Sequence, residues 1–294
     1  NYNILVLDQT MKNNSSITLV NTNVMRSGKE YDANVTAGLF DLYDKKVDWN
    51  IWGKMANSRL MGINQGKDMS GLSYEINLGK FRGPFNFEIH QYMADGKYQQ
   101  NDLGYFTNNN YLNNGINAWY KVTKPKYFYN NLTFYLGGNH SQLFKPRRFQ
   151  YLEIYGRANS QLKNLWSVGI RAGATSNLHD YYEPRMAGRV FIKPGNVRAG
   201  FYVTSNFAKK YAASIDFNQI IFNRYKGHTA ELFISNQYRF NDKLTLSLSS
   251  FNAVAHNDAG FAYIEKDSIH FGLRKRTTVE NILSVKYNFN IKMG

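Results

Sequence analysis

Two ladders of alternating residues between Ser70 and Asp95 restrict this chain more than any other stretch. Leu72, Tyr74, Ile76 and Leu78 are apolar, and Ser73, Glu75, Asn77 and Gly79 stand between them. After Phe81-Arg82-Gly83-Pro84, a second run sets Phe85, Phe87 and Ile89 against Asn86, Glu88 and His90. A period of two is that of a β-strand with one apolar and one polar face. The polar faces carry Glu75, Glu88 and His90 in mid-strand, and both ladders exceed the usual strand of about five or six residues. Long strands of this kind, with aromatic rings at the turn, are the pattern of a membrane β-barrel.

Composition permits that fold. The longest apolar runs, such as Ile4 to Leu7, fall far short of the roughly 20 residues a membrane helix needs. A barrel has no such requirement, because its apolar residues occupy alternate positions. The chain has 294 residues, no cysteine and only 5 prolines, so a disulfide framework and a thiolate metal site are excluded. The six histidines lack ligand spacing and no Asp-rich calcium loop is present, so no metal or other cofactor is expected. A net charge of +15 raises nucleic acid as a partner, but no basic cluster or nucleic-acid motif accompanies it, and nucleic acid is set aside. Cations scattered at turns, such as Lys45-Lys46, Arg147-Arg148 and Lys209-Lys210, suit anionic lipid head groups or a lumen selecting anionic solutes.

Read in order, alternation marks strands at 2–9, 16–25, 31–39 and 47–58, then the two ladders, then 116–122, 132–140, 149–159 and 165–175. Further strands are expected at 185–192, 197–205, 211–221, 229–240, 243–254 and 277–289, with longer loops at 62–68, 95–114 and 255–276, the last with room for a small hairpin. The expected class is an all-β, transmembrane antiparallel outer-membrane β-barrel of roughly 14 or more strands, forming one domain over 1–294. One inconsistency stands. The short turns Gln161–Asn164 and Phe240–Lys243 should lie on the same side, which requires an even number of strands between them, yet five are read. One assignment between 177 and 227 must fail. Aromatics flank several short turns (Tyr43 and Trp49, Trp166, Tyr238 and Phe240), as in an interfacial girdle.

Several longer segments carry a resemblance: Ser15-Ser16-Ile17-Thr18, Asn21-Thr22-Asn23-Val24, Gln161-Leu162-Lys163-Asn164-Leu165-Trp166, Tyr182-Glu183-Pro184-Arg185 and Thr278-Val279-Glu280-Asn281-Ile282-Leu283. Over nearly its whole length the chain resembles the barrel portion of a domain-of-unknown-function family of Gram-negative outer-membrane proteins. That family is named for a carbohydrate-binding family-9-like domain. The resemblance implies a barrel that the family pairs with a carbohydrate-binding-like N-terminal domain, which is not expected within these residues, and it brings no established activity. The family pattern continues beyond Asn290-Ile291-Lys292-Met293-Gly294, so an interior slice of a barrel with unpaired edge strands is expected.

The candidate site residues follow from the alternation. Glu75, Glu88, Glu153, Arg157, Arg171, Arg185 and Arg189 are expected in the lumen, since a charge facing lipid costs roughly 2–4 kcal/mol at the midplane. Two readings of that row stand: a selective pore or plug seat, and charges that pair across strands to hold the barrel open. In the 95–114 loop, Tyr105, Phe106, Asn108, Asn110 and Tyr111 offer rings and amides to a glycan, or else pack the loop over the barrel mouth. No catalytic residue is expected. Of the candidate pairs, His140 and Ser141 are adjacent on a strand and point to opposite faces, His179-Asp180 sits in a loop where a histidine is more often solvated, and His256 with Asp258 is the third. The expected function is a non-enzymatic outer-membrane pore or transport protein, or a membrane component of an outer-membrane assembly. The alternative is a glycan-binding surface β-protein. Expected partners are outer-membrane lipid and lipopolysaccharide, proteins of such an assembly, and a glycan.

Overall fold

The computed structural model describes residues 1–289 apart from Lys29, Gln65, Leu103, Tyr105, Thr107 and Ala187. Its strands are β1 (Tyr2–Thr10), β2 (Ser16–Val24), β3 (Asp32–Tyr43), β4 (Trp49–Asn64), β5 (Lys67–Lys80), β6 (Phe85–Ala94), β7 (Tyr111–Val122), β8 (Tyr129–Leu143) and β9 (Phe149–Leu162). They continue as β10 (Ser167–Thr175), β11 (Leu178–Asp180), β12 (Phe191–Lys193), β13 (Asn196–Thr204), β14 (Tyr211–Phe222), β15 (His228–Arg239), β16 (Leu244–Glu265) and β17 (Ser268–Tyr287). Fifteen form one antiparallel sheet in chain order, and β11 and β12 pair separately. Helix is confined, among the described residues, to one 3-10 turn at Lys12–Asn14, and none is long and apolar enough to cross a membrane.

The all-β antiparallel expectation holds. Among the described residues no ladder joins β1 to β17, so the sheet is not closed into a barrel. The strand expected at 185–192 is corrected. Arg185 has φ 56, in the left-handed region, and only Phe191–Lys193 is strand, paired with β11 rather than with the main sheet. With that assignment removed, β10, β13, β14 and β15 separate the two short turns, and the parity is even. The loop expected at 62–68 is mostly strand, and the hairpin allowed for in 255–276 is the outer part of β16 and β17. A register shift between Leu60 and Asn64 lets β4 run on, and two shifts in the β16–β17 ladder absorb the irregular 255–262 region.

The chain forms two compact units, one of residues 1–119 with 137–152, the other of 120–136 with 153–294. Along β5 of the first unit and β10 and β13 of the second, the polar face is the more buried one. In the first unit Ile51, Leu78 and Ile89 sit side by side on one face, where Leu78 and Ile89 are 43% and 49% exposed. On the other face Trp52, Asn77 and His90 are neighbours, and Asn77 is 0% exposed. In the second unit register aligns Val168, Val203, Ile215 and Ile234 on the apolar face, beside a row of Ile170, Phe201, Phe217 and Leu232. Ile170 is 65% exposed.

Candidate functional site

The polar face of the first unit is covered by the segment after β6. Asp95 anchors it: its carboxylate accepts the backbone N–H groups of Leu72 (2.9 Å), Lys97 (2.8 Å) and Tyr98 (2.8 Å). Gly71 leaves room for the chain to lie on the sheet, since a β-carbon there would stand 2.1 Å from the Tyr98 nitrogen. Tyr98 is then buried with Ala56 and Ala94, and Val35, Ala37, Phe106 and Tyr111 pack against them. Phe106 meets Tyr98 edge-on at 5.3 Å. Farther along, Asp102 takes hydrogen bonds from the Arg26 guanidinium and from the Tyr31 hydroxyl (3.0 Å), and Arg26 lies 4.6 Å over the Tyr31 ring. Burial and then the Asp102 carboxylate raise the Tyr31 hydroxyl pKa.

Of the five residues expected to face a glycan, Tyr105 lies outside the described residues. Phe106 and Tyr111 pack on the cluster around Tyr98. Asn110 is a brace: its amide donates to the Lys145 carbonyl (2.7 Å) and accepts the Lys145 N–H (2.8 Å). Asn108 is exposed.

Below the cover, charges sit in register. Lys54 is directly opposite Glu75 and bonds it at 3.2 Å. Glu88 Oε1 lies 3.5 Å from His90 Nδ1, and His90 stacks on Tyr92 at 4.8 Å.

In the second unit the polar face carries a pocket of ≈ 380 Å³, lined by Tyr135, Tyr155, Arg157, Arg171, Arg198, Asn218 and Glu231 among others. Its basis is the register. Arg171 lies opposite Gly200, and the missing side chain lets the guanidinium reach across to the next strand. There it binds Asp216 in a fork, with Nη1 to Oδ2 at 3.1 Å, and donates from Nε to Asn218 Oδ1 at 2.6 Å. Arg198 bonds Glu153 at 2.5 Å. Asn218 also donates to Glu231 (3.3 Å). Arg157 has no ion pair among the described residues and lies 4.7 Å over the Tyr135 ring, whose hydroxyl is 3.2 Å from that of Tyr155.

Glu153, Arg157 and Arg171 therefore share one pocket region, whereas Arg185 and Arg189 are outside the main sheet. Arg185 lies 4.4 Å over the Phe261 ring in a side structure built by β11, β12 and the outer part of the β16–β17 hairpin. Lys193 there bridges Asp180 (2.9 Å) and Glu183 (3.0 Å), Glu183 accepts the Phe261 N–H (2.8 Å), and Phe191 stacks on Phe271 at 3.9 Å. Sequence reading missed Arg198, Asp216, Asn218 and Glu231. Alternation places them on the polar face, but only register joins them to Arg171. Ser141 is buried between Asn113 (2.6 Å) and Gln150 (2.8 Å), His140 lies 5.8 Å from the Phe149 ring, and His256 stacks on His228. No group of three or more His, Asp or Glu that could hold a metal occurs among the described residues.

An all-β fold built on one antiparallel sheet of fifteen strands in chain order defines the class. The chain belongs to the DUF5916 family, a domain of unknown function whose model matches residues 1–294. No curated protein matches it.

Proposed function

We propose that this protein is an integral outer-membrane β-sheet component whose strands span the bilayer, with the exposed apolar faces toward lipid. The observation that carries this reading is the inverted burial of β5, where Asn77 is 0% exposed and its apolar neighbour Ile76 is 41% exposed. In water, each large apolar side chain left exposed forgoes about 1.5–3 kcal/mol of burial. In lipid that cost disappears, and the polar face must satisfy itself. Arg171 with Asp216 and Arg198 with Glu153 fit such a face. These pairs favour a membrane component of a larger assembly over an anion-selective pore, because they cancel the positive potential that unpaired arginines would create.

A second reading, a glycan or other neutral polar solute held on the polar face, draws on the Tyr135–Tyr155 ring pair beside Asn218 and Glu231. It accords with the carbohydrate-binding family-9-like naming of the proteins this chain resembles.

Single cysteines in the cysteine-free chain test the membrane reading. In membranes, cysteines at Ile76 and Leu78 should resist a water-soluble maleimide and accept a lipid-soluble one. Labelling from water as fast as at an exposed turn such as Arg82 overturns it.

A further inference from the structure

In the second unit, one end of the sheet sets six lysines against a single acid among exposed aromatic rings, and the other end mixes its cations with more acids. The short turns at 123–128, 163–166, 205–210 and 240–243 all lie at the same end, because each follows an odd-numbered strand of the sheet in an antiparallel order. They hold six lysines (Lys124, Lys126, Lys163, Lys209, Lys210 and Lys243) against one acid, Asp242. All six are exposed, and none enters an ion pair among the described residues. The opposite end is different. There Lys193 pairs with Asp180 and Glu183, and among the described residues only Arg224 and Lys226, beside Tyr225, form an exposed basic and aromatic turn.

The lysines stand among rings. Tyr127 and Phe128 are 72% and 67% exposed, with Trp166, Tyr211 and Phe240 also exposed at this end. Lys126 Nζ lies 4.7 Å over the Tyr127 ring, and Lys210 Nζ 5.3 Å over Tyr238. Neighbouring turns are tied through the backbone, by Lys163 N–H to the Phe128 carbonyl (3.0 Å) and Arg239 N–H to the Lys210 carbonyl (2.8 Å). Lysines and aromatic rings directly beyond an apolar band match the head-group layer of a bilayer. There the rings sit at the carbonyl level and each ammonium meets a phosphate.

We infer that the short-turn end of the second unit is a binding surface for anionic phospholipid head groups. The inference rests on the membrane reading above. One lysine beside an anionic surface contributes about 1 kcal/mol, equivalent to about fivefold in occupancy.

The test reconstitutes the full chain into phosphatidylcholine vesicles with and without phosphatidylglycerol, and reads immobilisation of spin-labelled lipids. The wild type should immobilise phosphatidylglycerol about fivefold more than phosphatidylcholine, and the preference should fade in high salt. Combined Lys124→Gln, Lys126→Gln, Lys163→Gln, Lys209→Gln, Lys210→Gln and Lys243→Gln should abolish it. Arg224→Gln with Lys226→Gln and Lys266→Gln, at the other end, should leave it intact. Insertion without any preference, or equal loss in both variants, overturns the inference alone. Retention on an acidic polypeptide without lipid preference overturns it in favour of an acidic protein partner. A chain that alkaline carbonate strips from both vesicles overturns the membrane reading and this inference together.

Discussion

The two units put the same alternation to different use. In the first, the polar face is interrupted by small apolar residues, Ala56 and Ala94, and the 95–110 segment lays Tyr98 and Phe106 onto them. In the second, charged and amide side chains meet one another across strands and leave a pocket between them. The difference lies in what covers the face. Where a connection supplies apolar side chains, the strands present alanines to receive them; where none does, the strands satisfy their own polar groups.

The largest expected effect tests the covered face. Tyr98 is nearly fully buried, and removal of a ring from such a site costs about 3 kcal/mol or more. Tyr98→Ala should free the 95–110 segment for proteolysis while leaving exchange of the β13–β15 amides unchanged. Gly71→Val should do the same without touching the ring, because its β-carbon would collide with the Tyr98 backbone. Protection of the segment in both variants would mean that Asp95 and Asn110, rather than packing, hold it down.

Much of this was legible from period two alone. The ladders of β5, β6 and β10 and the side of Glu75, Glu153, Arg157 and Arg171 follow from alternation. Register did not follow from it, and register decides that Arg171 meets Asp216 rather than a glutamate nearer in sequence. The strand expected at 185–192 failed for a local reason. Pro184 is buried just before Arg185 turns left-handed, and Pro194 follows β12, so the apolar residues of that stretch pack a side hairpin instead of a wall strand. The face of β3 with Ala33, Val35 and Ala37 shows the same limit. An apolar row can face lipid or face a covering segment, and the sequence of the strand does not distinguish them.

A smaller effect is expected in the second unit. Arg171 and Asp216 are about one-third exposed, so solvent screens the pair, and a double-mutant cycle on Arg171→Ala and Asp216→Ala should give a coupling of about 1 kcal/mol. Coupling as large as the loss in Tyr98→Ala would break the comparison, since the charged face would then be as strongly built as the packed one.

The smallest effect separates the units by pH. Burial works against the Asp180 carboxylate, but the Glu183 N–H, Lys193 and the Tyr182 N–H outweigh it and hold its pKa below the ordinary 3.8. Glu183 is held below 4.5, first by the Phe261 N–H and then, against burial, by Lys193. Both groups therefore stabilise the side hairpin above the unfolded carboxylate range, and that contribution is lost as pH falls through their lower folded values. Lys193 runs the other way: burial lowers it, the two carboxylates raise it above 10.5, and its contribution is lost only as pH rises past that raised value. Amide exchange at Phe261 should thus quicken on acidification below about pH 4, the ordinary carboxylate range. Exchange at the Tyr98 amide should respond less: it donates to the Asp95 carboxylate, but the ring packed on Ala56 and Ala94 keeps it in place. Equal acceleration at both amides would show that the cover of the first unit is held by its carboxylates after all.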